Sequence, residues 1–166
     1  MKSVSPRIIG LGCVLAGAAA LGFAHALEIW GGMAPCALCL WERWPYRVVI
    51  VLGLLSLVLP RGTARILLAL AVVALLADVA IAVVHVGVEQ HFWPSPLPEC
   101  AAPTFGGGSI AEMLKSMPVH PAKPCDAPNF LIPGVPLSIA SLDLLYGSVC
   151  TLLLLGALLR RGGPNR

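Results

Sequence analysis

ARILLALAVVALLADVAIAVVHVGV, residues 64–88, is the stretch that decides what kind of protein this is. Arg65, Asp78 and His85 alone break its apolar character, and it exceeds the ~20 helical residues that a hydrocarbon core requires. Three further stretches of similar character occupy residues 8–29, 36–59 and 137–159. Lipid offers no partner to a free N–H or C=O, so each such stretch has to be helical. The composition agrees. Of 166 residues, 58% are hydrophobic and 11% charged, with a mean hydropathy of +0.88, too little charge to clothe a soluble domain. A net charge of +3 without a dense basic tract excludes a nucleic-acid partner. The expectation is an all-α integral membrane four-helix bundle, one domain spanning residues 1–166, without internal repeats.

The spans leave two short connections, residues 30–35 and 60–63, and a long one, residues 89–136, which holds ten of the 15 prolines. Lys2, Arg7, Arg61, Arg65, Arg160, Arg161 and Arg166 fall on one side of the bundle, and Arg43, Arg47, Lys115 and Lys123 on the other. Basic residues accumulate on the cytoplasmic side, so both termini are expected there. Loops 30–35 and 89–136 then face outwards, and Cys36, Cys39, Cys100 and Cys125 lie on the side where disulfides persist. Lys2, Arg7 and Ala24-His25-Ala26 give the first span a likeness to a secretory signal, but its apolar run is longer than a signal core, and it is read as retained.

The second span is constrained by its length. Its uninterrupted apolar part, Val48 to Leu59, covers roughly 18 Å at ~1.5 Å per residue, short of a ~30 Å core. The helix therefore has to reach back towards Cys36, with Glu42, Arg43 and Arg47 snorkelling to the headgroups and Trp41, Trp44 and Tyr46 as interfacial anchors. Pro45 is expected to bend it. Cys36, Cys39 and Arg43, at i, i+3 and i+7, share one face. The positive helix start and the Arg43 charge both favour a thiolate, the nucleophile of disulfide exchange. An aromatic, cationic pocket at the lipid boundary also suits a quinone ring. The plain alternative is an inert disulfide beside an interfacial anchor.

Cys100 and Cys125 stand in the long loop, bracketed by Pro98 and Pro103 and by Pro124 and Pro128. Between them Ser109 to Met117 reads as a short amphipathic helix with Ile110, Met113, Leu114 and Met117 on one stripe. Alone, this pair reads as a loop staple worth a few kcal/mol. Beside a surface CxxC on the same side, the balance moves to a relay of two redox pairs.

The strings PCALCLWER (residues 35–43), EQHFWPSPLPEC (89–100) and Pro124-Cys125-Asp126 resemble the DsbB family of bacterial disulfide bond formation proteins over nearly the whole chain. The resemblance implies a disulfide-generating oxidoreductase of the bacterial inner membrane. Its loop disulfide Cys100–Cys125 would oxidise a DsbA-like periplasmic thioredoxin-fold protein through a mixed disulfide on Cys100. Cys36 and Cys39 would reoxidise that pair and pass electrons to ubiquinone or menaquinone, with Cys39 facing the ring. Arg43 matches the family arginine associated with quinone, and Glu42 accompanies it. The chain departs from the pattern in the proline and glycine content of the loop between the cysteines. His85 also falls out of register with the histidine expected near the end of span three, so it is not placed in the site.

Asp78, mid-span, is expected to face the bundle interior as a proton-path or structural group. His25 and His85 read as interfacial or packing residues, Ser141 and Asp143 as caps, and Cys13 and Cys150 as small core hydrophobes. Three rival readings carry less weight. An enzyme of the vitamin K epoxide reductase type places its CxxC on a later span. A four-cysteine metal protein fits poorly with the wide spacing of Cys100 and Cys125. A membrane protein stapled by two independent disulfides would keep them oxidised whatever the supply of acceptor.

Overall fold

The computed structural model describes residues 5–100, 123–131 and 137–160. The expected amphipathic helix at 109–117 lies outside them. Among the described residues there are four helices, α1 (Pro6–Ile29), α2 (Ala37–Val58), α3 (Arg61–Glu89) and α4 (Ile139–Leu159), and one 3-10 turn at Pro98–Cys100. Among the described residues there is no strand, only one antiparallel bridge between Phe130 and Ser138. The chain is an all-α membrane bundle.

α1, α3 and α4 are long and apolar enough to cross a membrane. Their outward faces carry Ile8, Leu15, Val73, Leu152 and Leu153 in the open, which only a lipid environment makes favourable. α2 carries Glu42, Arg43 and Arg47 in its first half, and its outward face is also apolar at Val51, Leu54 and Val58.

Small residues let the helices meet closely. α2 packs along both α1 and α3, and α4 packs along α3, whereas α1 and α4 scarcely touch. At the α1–α2 crossing, a Cβ on Gly53 would stand 2.8 Å from the Gly10 carbonyl, so only glycine permits this approach. The central core gathers Cys13, Tyr46, Val49, Leu68, Ala71, Leu75 and Leu154, with Cys150 packed at its edge, as expected for the two unpaired cysteines. Asp78 is fully buried in the interior.

Three expectations about α2 and α4 are corrected. Glu42 and Arg43 do not snorkel; both are buried, because each finds an opposite partner on another helix. Tyr46 is not an interfacial anchor either, and its buried hydroxyl donates to Asp143 at 2.9 Å. Trp41 and Trp44 do face outwards, with the Arg47 guanidinium 5.0 Å from the Trp44 ring centroid. α4 is capped by Ser138, whose Oγ accepts from the Ser141 N–H at 3.1 Å, so Asp143 is free for Tyr46.

Candidate active site

The start of α2 creates the first redox pair. Cys36 is the N-cap residue, extended in backbone, and its Sγ accepts the N–H of Cys39 at 3.2 Å. A cap sulfur thus receives one of the amides that a helix start leaves unpaired, a polarity that favours negative charge on it. Cys36 and Cys39 form a disulfide, and so do Cys100 and Cys125.

The second pair is brought to the first by the turn after α3. His91 adopts φ +58°, and Phe92 N–H bonds back to the Gly87 carbonyl at 2.9 Å. The Trp93 ring then lies on Gly87 and its indole N–H donates to the Val84 carbonyl at 3.1 Å. The chain is thereby turned back towards α2. Cys100 and Cys125 are buried with Cys36, Leu38 and Val88 in one apolar cluster, against which Cys39, Val84 and Leu97 pack. The sequence leads one to expect a loop pair reaching into water. Instead, both of its cysteines are buried beside the helical pair.

His85 belongs to this centre, contrary to the packing role expected for it. Its Nε2 lies 3.4 Å from Cys36 Sγ, and its Nδ1 lies 2.8 Å from Glu42 Oε1. A carboxylate accepts, so Nδ1 carries a hydrogen, and Nε2 of a neutral ring is the atom that can accept the Cys36 thiol proton once the disulfide is open. The sequence did contain a signal for it. Asp78, His85 and Glu89 are spaced by seven and four residues, a single polar stripe on an otherwise apolar helix, and all three are buried. Arg43 points to the other side and pairs with Glu28 of α1, which also lies beside His25. Glu28 was not singled out by the sequence, since its partner lies on another helix.

Between α1, α2 and α4, where α1 and α4 part, lies a cavity of about 750 Å³. Phe23, Leu27, Leu131, Leu142, Leu145 and Val149 give it apolar walls, several of them exposed to the outside. Cys39, Glu42, Arg43 and Asp143 stand along its inner side. Among the described residues the buried Arg43 Nε and Asp143 Oδ2 have no hydrogen-bond partner, so one donor and one acceptor remain for a ligand. The space suits a flat, largely apolar molecule with polar oxygens at one end. Among the four predicted cysteines and two predicted charged residues, the structure joins Cys36, Cys100 and Cys125 in one cluster, and Cys39, Glu42 and Arg43 on one cavity wall.

No solved structure matches the chain. An uncharacterized protein of Rickettsia prowazekii (strain Madrid E) is 27% identical over 154 residues, covering 92% of this chain and 87% of that protein. Residues 6–157, which take in all four helices and both cysteine pairs, match the family of disulfide bond formation protein DsbB. With two cysteine pairs enclosed in one cluster of a membrane bundle, the chain belongs to the DsbB family and is a disulfide-forming membrane oxidoreductase.

Proposed function

We propose that the chain is a protein-dithiol:quinone oxidoreductase of the bacterial inner membrane. It reoxidises a DsbA-like periplasmic thioredoxin-fold protein and delivers the electrons to ubiquinone or menaquinone. The observation that carries this is the position of Cys39, in contact with the loop pair's cluster on one side and with an apolar cavity on the other. All four helices span, with residues 30–35 and 89–136 outside and both termini cytoplasmic, as the distribution of Lys and Arg favours.

In this reading Cys100 and Cys125 accept the partner's electrons by thiol–disulfide exchange, and Cys36 and Cys39 then regenerate the loop disulfide. Once that exchange has reduced Cys36 and Cys39, His85 Nε2 takes the Cys36 thiol proton as the pair gives up its electrons to the acceptor, and Glu42 holds the imidazole in position and stabilises it once charged. A quinone in the cavity supplies an acceptor for two electrons and two protons. Arg43, held by Glu28, presents its free Nε to the acceptor's oxygen. The apolar walls exclude water from the pair.

The deciding experiment is quinone reduction, followed by absorbance, with the purified protein and a reduced thioredoxin-fold partner. Turnover that stops on replacing Cys36 or Cys39 by Ser is the expected result. Absence of turnover with both quinone classes would remove the reading. Trapping of free thiols separates it from a stapled protein, since a relay leaves all four cysteines reduced when acceptor is withheld.

A further inference from the structure

We propose that the reduced form binds one zinc-type divalent cation through Cys36, Cys39 and His85, a metal site that exists only while the dithiol is open. The ligand atoms of these three residues all lie within 4.8 Å of one another. Tetrahedral zinc, with Zn–S near ~2.3 Å and Zn–N near ~2.0 Å, sets a sulfur and a nitrogen about 3.5 Å apart. His85 Nε2 and Cys36 Sγ already stand 3.4 Å apart. On reduction, the two sulfurs need only separate to the width of a shared ion, which a CxxC at a helix start does without moving the backbone.

The surroundings are those of a built site. Glu42 Oε1, 2.8 Å from His85 Nδ1, is the carboxylate that orients a metal-binding imidazole and raises its basicity. Both residues are buried, so the ring is not free to swing away. The one strong positive charge nearby, Arg43, is engaged by Glu28 on the far side. Cys39 also lines the cavity, which leaves room there for a small fourth ligand. Two thiolates balance the charge of a divalent ion with a neutral imidazole as third donor.

Binding balances without any electron transfer. Two S–H bonds lose their protons to solvent, two sulfur–metal bonds and one nitrogen–metal bond form, and the oxidised disulfide offers no thiolate and no site. A metal-held dithiol cannot give up its electrons to the acceptor and return to the disulfide, so the ion arrests the relay in its reduced state. This holds whatever the final electron acceptor is, and it can be tested apart from turnover.

The test uses the full-length protein with Cys100 and Cys125 replaced by Ser and Cys13 and Cys150 by Ala, so that Cys36 and Cys39 are the only thiols. Reduced with a phosphine and titrated anaerobically with Co2+, it should take up one equivalent. Thiolate-to-cobalt charge-transfer and tetrahedral d–d bands should appear, and Zn2+ should erase them. The oxidised protein should show none. Glu42→Gln should weaken binding by about 10–100-fold, and His85→Ala by at least as much. An unchanged titration in His85→Ala, or no cobalt band in the reduced parent, overturns the proposal. Should His85→Ala fail to fold, Cys36→Ser and Glu42→Gln decide: loss of the band in the first with weakened binding in the second supports the site, and full-strength binding in either refutes it.

Discussion

A dithiol that gives up its electrons has to shed its protons, and Cys36 has His85 Nε2 in reach at 3.4 Å. His85→Ala should therefore slow electron delivery to the acceptor by roughly 10²- to 10⁴-fold, the span of general-base effects. Exchange between the Cys100–Cys125 disulfide and a thioredoxin-fold partner should continue at its normal rate. Quenched-flow trapping of free thiols resolves the two steps, and equal slowing of both would remove His85 from the proton transfer. Arg43 calls for a different readout. Its guanidinium serves Glu28 with one nitrogen and leaves Nε free, a division that the single ammonium of lysine does not reproduce. Arg43→Lys should raise the apparent KM for quinone about tenfold, equivalent to ~1.4 kcal/mol, with little effect on kcat. At this scale the cysteines were legible because disulfide chemistry requires cysteine and their spacing survives in the sequence. Arg43 was singled out by its spacing from Cys36 and Cys39, and Glu42 only by its place beside Arg43 in the PCALCLWER string. His85 left only the polar stripe it shares with Asp78 and Glu89, which does not say what it meets: its partners are 43 and 49 residues away along the chain, and only packing of α3 on α2 joins them.

The elements were legible in proportion to how much lipid dictates them. Long apolar runs have to be helical, so the four long helices followed from composition. The head of α2 was misjudged because snorkelling is the rule for a charge that has no partner. Glu42 meets His85 on α3 and Arg43 meets Glu28 on α1, and neither meeting has a trace in the α2 sequence itself. The helix contacts themselves make two predictions. Gly53→Ala forces a Cβ to within 2.8 Å of the Gly10 carbonyl and 2.9 Å of Val14 Cγ2. It should cost about 1–3 kcal/mol, visible as a lower unfolding temperature in detergent, and an unaltered temperature would mean that α1 and α2 do not cross there. Ser138→Ala removes the cap of α4, together with a hydroxyl that donates to the buried Glu89. A loss of about 1 kcal/mol is expected from the cap alone. The same melt measures it, and Ser138→Thr, which keeps the hydroxyl, should recover most of the loss.

For the whole molecule, seven basic residues against four carry an expectation about the sense of insertion, but the cavity has no trace in the sequence. It exists because α2 and α3 hold the bundle together while α1 and α4, each packed on another neighbour, stay apart. No local pattern records a contact that two helices fail to make. If this seam is the way in for a lipid-borne acceptor, narrowing it should harm one half-reaction alone. Ala24 lines the cavity from α1, outside the cluster that holds the two cysteine pairs, and its small side chain keeps the space open. Ala24→Trp should fill part of the 750 Å³ and raise the apparent KM for quinone about tenfold or more, the equivalent of ~1.4 kcal/mol of lost binding. Oxidation of a thioredoxin-fold partner in a single turnover, which draws only on the stored disulfides, should proceed as before. A variant that melts normally and keeps both the KM and the single-turnover rate would mean that the acceptor approaches Cys39 by another route. Loss of both activities would mean instead that the seam between α1 and α4 supports the fold as a whole, rather than admitting a ligand to one end of it.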